Sequence, residues 1–266
     1  MDKFKEFLTK LNLSENTERA YLVAVRLFFS LFDEITKNNL LLFKNYLTEH
    51  YKPKSVNLKI QAVNRYLDYS KKGGLKLKSV KIQQKTFLEN VISDEDYSFF
   101  KQKLKKDGRV KWYFVIRLLA ATGARISELL QMKIDNLRVG YIDLYTKGGK
   151  NRRIFIPKAV RTECLSWTQE TKQAEGYLFV NRSGKKITQR GISQQLKKYA
   201  IEYGINPKVV YPHSFRHRFA KNFLAKFNDI ALLADLLGHE SIETTRIYLR
   251  RTSNEQQEIV DKIVNW

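Results

Sequence analysis

Between positions 213 and 248 the chain gathers side chains that could do chemistry on a phosphodiester. His213-Ser214-Phe215-Arg216-His217 is followed by Leu236-Leu237-Gly238-His239 and then by Thr245-Arg246-Ile247-Tyr248. Three of the four histidines fall in this stretch. His213 and Arg216 are three apart, so on a helix they project from one face. A guanidinium fork binds two non-bridging phosphate oxygens, an imidazole donates or shuttles protons, and a tyrosine oxygen can attack phosphorus.

The rest of the composition suits a polyanionic partner. The 266 residues carry 49 Lys and Arg against 27 Asp and Glu, a net charge of +22 and a pI near 9.9. Neutralising phosphates releases condensed counterions, so an excess of this size points to nucleic acid. Lysine abundance alone is also what an AT-rich genome writes. With 43% hydrophobic and 12% aromatic residues the chain can bury a core. The lone Cys164 excludes an intrachain disulfide framework or a cysteine zinc site, and it suits a reducing cytosol. No apolar run is long enough to cross a membrane, and Met1-Asp2-Lys3-Phe4-Lys5-Glu6 is too charged to open a signal peptide.

Apolar spacing and capping signals set out the elements that must position the cluster. Residues 1–72 read as a bundle of short helices. Ser14 is a candidate N-cap, and Pro53 opens a helix with Val56, Ile60, Val63 and Leu67 on one side. From Tyr51 to Gln84 basic residues far outnumber acids, with Asp68 the single carboxylate. Such a run is usually a solvated face, but solvated faces mix signs. Lys52, Lys54, Lys59, Lys71 and Lys72 are therefore expected to contact DNA backbone. Lys71-Lys72-Gly73-Gly74 is expected to end the helix with a glycine in the left-handed cap, and residues 73–89, without period, read as a linker.

A second domain, 90–266, opens with Ser93-Asp94-Glu95-Asp96 as a helix start. Residues 112–120 are apolar nearly all round and predict a central buried helix. Gly123 breaks it, and Arg125 opens the next helix. An arginine there opposes the helix dipole, which hints at an anion to meet, although Glu128 is also placed to pair with it. Residues 141–146 and 153–157 alternate as strands around Lys147-Gly148-Gly149-Lys150-Asn151, a hairpin tip whose Lys147 and Lys150 both reach outward. Tyr177–Val180 suggests another short strand, and the remaining segments predict helices. His217 reads as a packing or capping residue, and His50, at a helix end, as a dipole partner. The fold expected is mainly α with a small antiparallel sheet, an α+β class.

Taken in order, Thr122-Gly123-Ala124-Arg125, the Lys147 hairpin, His213-x-x-Arg216, Leu236-Leu237-Gly238-His239 and Tyr248 resemble the tyrosine site-specific recombinases of the Xer and phage-integrase family. The resemblance is close over about 90–250 and loose over the N-terminal helices. It implies an N-terminal core-binding domain and a C-terminal catalytic domain that act on a double-stranded DNA recombination site. It implies that Arg125 and Arg216 clamp the scissile phosphate while His213 and His239 assist by hydrogen bonding and proton transfer. Lys147, rather than Lys150, would protonate the leaving 5′-oxygen, and Tyr248 would attack phosphorus to form a 3′-phosphotyrosine. Dimers on one site and tetramers in synapsis would exchange strands through a Holliday junction. Ile259, Val260, Ile263 and Val264 would form an apolar tail, packed either on their own domain or on a neighbour.

Elementary chemistry agrees with that division of labour. Charge grows on the attacked phosphate, so fixed cations bind the transition state more tightly. A phenol of pKa about 10 needs positive charge or a base nearby. The paired glycines lack phosphate-loop spacing, and no acidic cluster suggests two-metal chemistry, so neither cofactor nor metal is expected. Two other functions keep the same residues in play: a type IB topoisomerase-like relaxing enzyme, and a non-catalytic DNA-binding architectural protein.

Overall fold

A computed structural model describes residues 1–82, 90–145, 151–239, 241–249 and 253–264. The chain forms two compact units, Met1–Gln84 and Lys85–Trp266.

The first unit is a helical bundle of α1 (Asp2–Lys10), α2 (Glu15–Leu31), α3 (Lys37–His50) and α4 (Pro53–Tyr69). Ser14 does cap α2, accepting from the Thr17 amide, and Thr36 does the same for α3 through Asn39. These hydroxyls satisfy amides that the first helical turn leaves without partners. Phe28, Phe43, Leu47, Ile60 and Leu67 fill the centre, with Phe28 edge-on to Phe43 at 5.2 Å. His50 closes α3, its ring bonded back to the Tyr46 carbonyl.

Two expectations near residue 73 change. The left-handed residue after α4 is Lys71, at φ +57°, not Gly73, which begins a short 3-10 turn over Gly73–Leu75. The Lys72 amide reaches back to the Leu67 carbonyl, and that closure needs the residue before it left-handed. The linker expected from 73 also starts later. Asn57 and Asn64 lie two turns apart on α4 and each pairs with one backbone unit of the following segment. Asn64 donates to the Leu77 carbonyl and accepts from its amide, both at 2.9 Å. Asn57 does the same with Val80, at 3.0 and 2.8 Å. Leu77 enters the core of the bundle. Two asparagines thus take the part of a neighbouring strand, a pairing that periodicity does not reveal. Residues 83–89 of the expected linker lie outside the described residues.

The second unit begins with α5 (Asp94–Lys106), capped by Ser93 through the Asp96 amide. The apolar run becomes α6 (Val110–Thr122), with Phe114, Ile116, Leu118 and Leu119 fully buried. Short helices α7 (Ile126–Leu129) and α8 (Ile134–Val139) lead to β1 (Tyr141–Tyr145) and β2 (Asn151–Phe155). The strands pair antiparallel, from Tyr141 opposite Phe155 to Tyr145 opposite Asn151. Helices α9 (Lys158–Glu170), α10 (Gln189–Glu202), α11 (Pro212–Phe227), α12 (Ile230–Leu237) and α13 (Ile242–Arg246) follow, then a 3-10 turn over Ile247–Leu249 and α14 (Ser253–Ile263). The class is mainly α with a small antiparallel sheet, as expected. Tyr177–Val180 is not a strand: it contributes only single bridges, Lys133 to Tyr177 and Val180 to Lys186.

Helix α6 packs against α5, α9 and α11. It ends at Gly123, whose φ of +61° and tight surroundings, with a Cβ falling 2.6 Å from Phe219, exclude other residues. Val260 and Ile263 on α14, and Val264 just after it, are exposed. Among the described residues no helix is long and apolar enough to cross a membrane.

Replacing Asn64 by Ala leaves the amide and carbonyl of Leu77 without their partners, at a cost of about 1–3 kcal/mol. Urea unfolding of the first unit should show that loss, with faster hydrogen exchange at Leu77. Unchanged exchange there would mean the segment is held by Leu77 packing alone.

Candidate active site

The site is assembled where two helices end. Helices α6 and α12 both stop at a left-handed glycine, Gly123 and Gly238. Their last carbonyls carry partial negative charge and have no partner within the helix. Guanidinium groups fill that vacancy. Arg152 Nη2 donates to the Leu236 carbonyl at 2.7 Å. Arg216 Nη2 donates to the Leu237 carbonyl at 2.7 Å. Arg125 Nη2 donates to the Gly238 carbonyl at 3.1 Å. The other end of the Arg216 fork, Nη1, meets the Gly123 carbonyl at 2.7 Å, tying α6 to α12. Gly238 has to be glycine: its φ is +61°, and a Cβ would lie 2.3 Å from Arg152 Cδ.

Arg125 is the N-cap residue of α7, and its ion pair with Glu128 is present at 2.8 Å. Glu128 also accepts from the Arg125 amide and bonds Arg152. Burial pushes the Glu128 carboxyl up, but the charges of Arg152 and Arg125 and the Arg125 hydrogen bonds outweigh it, and the carboxyl settles below its ordinary value. One buried carboxylate thus holds two guanidiniums in register, while the Arg125 side chain stays 36% exposed and so open to a ligand. Arg216 is 2% exposed. Burial, then the charges of Arg125 and Arg152, brings its pKa down to about 10, and it remains a cation at neutral pH.

His239 follows Gly238 and bridges the cluster to the tyrosine. Arg216 can only donate, so His239 Nε2 accepts from it at 2.9 Å, and Nδ1 carries the proton toward Thr245 Oγ at 2.7 Å. Burial and the neighbouring arginines hold the imidazole down at about 4, neutral at pH 7. His213 is the second residue of α11 and is exposed. Desolvation by its surroundings, then the charges of Arg216 and Arg125, lowers its pKa as well.

Tyr248 sits on the 3-10 turn, 6% exposed, its ring stacked parallel to His239 with centroids 6.2 Å apart. Burial raises its pKa, and the charge and hydrogen bond of Arg216 oppose that rise, followed by the charge of Arg125. Its hydroxyl lies 3.2 Å from His217 Nδ1.

Arg125, His213, Arg216, His239 and Tyr248 are therefore brought together by the fold. Lys147 and Lys150, expected at a hairpin tip, lie outside the described residues. In the first unit Lys52, Lys54, Lys71 and Lys72 are exposed, with Lys72 Nζ 3.5 Å from the Ile35 carbonyl. Lys59 lies over the Tyr51 ring at 4.5 Å, and burial lowers its pKa. Among the described residues no three His, Cys, Asp or Glu side chains gather as metal ligands.

Sequence reasoning missed three members. Arg152 had a signal: it falls in step with Ile154 on the buried face of β2, and with Ile156 just beyond it, where a charge is out of place. Thr245 had none. His217 was read as packing, yet it is one turn beyond His213 and touches the phenol.

Comparison with known proteins agrees with this constellation. Residues 90–255 match the phage integrase family. Tyrosine recombinase XerA of Pyrococcus furiosus is 31% identical over 270 residues, covering 97% of this chain and 92% of that protein. Tyrosine recombinase XerD of Listeria innocua is 29% identical, covering 95% and 94%. Among solved structures, the XerH site-specific recombinase bound to difH substrate superposes with a TM-score of 0.72 at 23% identity, covering 94% of this chain and 80% of that one. A lambda integrase dimer bound to a COC′ core site gives 0.74 at 16% identity, covering 93% of each. At such identities the structural likeness speaks for the fold, and the sequence matches carry the family. The chain belongs to the phage integrase family and is a tyrosine recombinase.

Proposed function

We propose that this chain cuts and rejoins DNA strands at specific sites through a covalent bond to Tyr248. The observation that carries the assignment is the Tyr248 phenol lying against Arg216, with the guanidiniums of Arg125 and Arg152 at the same helix end. Arg125 and Arg216 would hold the non-bridging oxygens of the scissile phosphate. The phosphate becomes more highly charged as it passes through five-coordination, so preformed cations bind that state best. Tyr248 Oη attacks phosphorus, the bond to the 5′-oxygen breaks, and Lys147 from the hairpin donates a proton to that oxygen. His213 and His239 serve as hydrogen-bonding groups to the phosphate. The 3′-phosphotyrosyl ester keeps the bond energy, so a 5′-hydroxyl from a second strand can reverse the attack without ATP or metal.

The same reading is supported by the solved relatives, since the XerH site-specific recombinase is bound to difH substrate and the lambda integrase dimer to a COC′ core site. Double-stranded DNA is then the partner, contacted by Lys52, Lys54, Lys59, Lys71, Lys72 and Lys150. Protomers pair on one site and two pairs form the synapse. The exposed Val260 and Ile263 on α14, with Val264 just after it, suit docking on a neighbouring copy. The family match over the site favours recombination above simple relaxation or DNA architecture.

A nicked duplex bearing the site mapped for this chain should trap a protein–DNA adduct stable to denaturant, and Tyr248→Phe should abolish it. An adduct from Tyr248→Phe would reassign the nucleophile. Acid should weaken the second unit through its histidines. His217 and His239 are held at about 4 when folded, against about 6.5 when unfolded. Between these values the unfolded chain binds more protons, so stability falls as pH falls from about 6.5 toward 4. Denaturant midpoints measured across that window should fall steadily, with a shallower slope in His239→Gln. An identical slope in that variant would mean the imidazole is not desolvated.

A further inference from the structure

The nucleophile has a proton to lose, and the groups around it differ in their capacity to take it. Arg216 can only donate. His239 has both nitrogens engaged, Nε2 by Arg216 and Nδ1 by Thr245. His213 makes no hydrogen bond to the phenol among the described residues. His217 is placed differently. It lies one turn beyond His213 on α11, half-buried, with Nδ1 3.2 Å from Tyr248 Oη and the two ring centroids 5.4 Å apart.

We propose that His217 is the general base for the tyrosine: Nδ1 takes the phenolic proton as Oη attacks phosphorus and returns it when the strand is resealed. The proposal rests on Tyr248 being the nucleophile. It requires the Nε2–H tautomer, which leaves the Nδ1 lone pair facing Oη. The electron pair of the O–H bond stays on Oη and forms the O–P bond. The P–O5′ pair leaves with the 5′-oxygen, which is protonated by the general acid on the hairpin. His217 ends the step as imidazolium. In resealing, the 5′-hydroxyl attacks, the O–P bond to tyrosine breaks, and the imidazolium protonates the departing phenolate.

The surroundings suit this duty. Burial, then the charges of His213 and Arg216 on the same helix, keeps His217 at about 4, so its lone pair is free at neutral pH. Tyr248, on the 3-10 turn, also contacts it. A base that weak is adequate because the phenolic proton turns acidic as the O–P bond forms. A phosphate seated on Arg216 also offsets the repulsion that holds the imidazolium off. General bases contribute on the order of 100-fold to 10,000-fold.

The test compares two nicked duplexes, one with the natural 5′-oxygen at the scissile bond and one with sulfur, a leaving group that needs no acid. His217→Asn keeps an acceptor near the Nδ1 position but cannot take a proton at neutral pH, and His217→Ala opens a space beside the phenol. Both variants should form adduct about 100-fold more slowly on both duplexes, and added imidazole should restore His217→Ala in proportion to its free base. Adduct formation by His217→Asn within about threefold of wild type overturns the proposal. So does a defect confined to the oxygen duplex, which would place His217 on the leaving group. Should His217→Ala fail to fold, His217→Asn carries the comparison alone. Tyr248→Phe is run alongside: an adduct there strikes the nucleophile assignment, not the base.

Discussion

Three guanidinium groups end on three consecutive carbonyls, Leu236, Leu237 and Gly238, and the site depends on that pairing. The arginines come from β2, α11 and the α6–α7 junction, segments far apart in the chain. Each would repel the others without compensation. The C-terminus of α12 supplies oriented partial charge, and Glu128 supplies a full one. Hydrogen bonds to charged groups are each worth roughly 1.5–3 kcal/mol, enough to offset the cost of gathering like charges. The arrangement leaves cationic charge in excess, with the Arg125 side chain partly open to solvent. A platform of this kind is preorganised for an anion: little has to reorganise when one arrives.

On the proposed mechanism the same arrangement would let a buried phenol act as a nucleophile. Burial alone would hold the Tyr248 proton in place. Arg216 opposes it by charge and hydrogen bond, and the same fork fixes His239, whose ring is a flat wall beside the phenol. Arg216 sets the His239 tautomer, and Thr245, one turn earlier than Tyr248, accepts the remaining ring proton. The chain thus couples the orientation of the tyrosine to the arginine platform through one imidazole. A displacement of α12 would disturb the arginines, His239 and the helix end together.

Much of this was written in local signals. The caps at Ser14 and Ser93, the all-round apolar α6 and the two strands follow from short-range physics; the caps and α6 came out as read, and the second strand came out two residues earlier than read, at Asn151–Phe155. The site residues were legible because their order along the chain matched a family pattern, not because spacing alone required them to meet. What was not legible depended on pairing across distance. Asn57 and Asn64 look like ordinary helix-surface residues until the segment at 77–80 is seen lying on them. Lys71 takes the left-handed conformation because a backbone bond closes around it, although glycine stands two residues away. Tyr177–Val180 has strand composition and no neighbour to pair with along its length. Glu128 was legible as a local partner of Arg125, but its bond to Arg152 spans 24 residues of chain, from α7 to β2. His217 lacked any mark in the sequence except its distance of one turn from His213.

On the proposed mechanism the platform cannot set the direction of the reaction. It holds one phosphorus in two diesters, one to a 5′-oxygen and one to Tyr248, and the same arginines meet the same non-bridging oxygens in both. Interactions equal in both states change rate but not balance. A bias toward exchange, as opposed to resealing the original strand, therefore has to come from contacts that differ between the two outcomes. The groups that differ are the free 5′-end and whatever positions it. The exposed apolar residues of α14, Val260 and Ile263, lie 12 and 15 residues beyond Tyr248 in the same chain, so on the proposed assembly a contact made by that helix with another copy would pull on the segment that carries the tyrosine. Catalytic strength and direction are thus assigned to separate parts of the second unit: the helix ends that hold the arginines, and the short segment that carries the tyrosine.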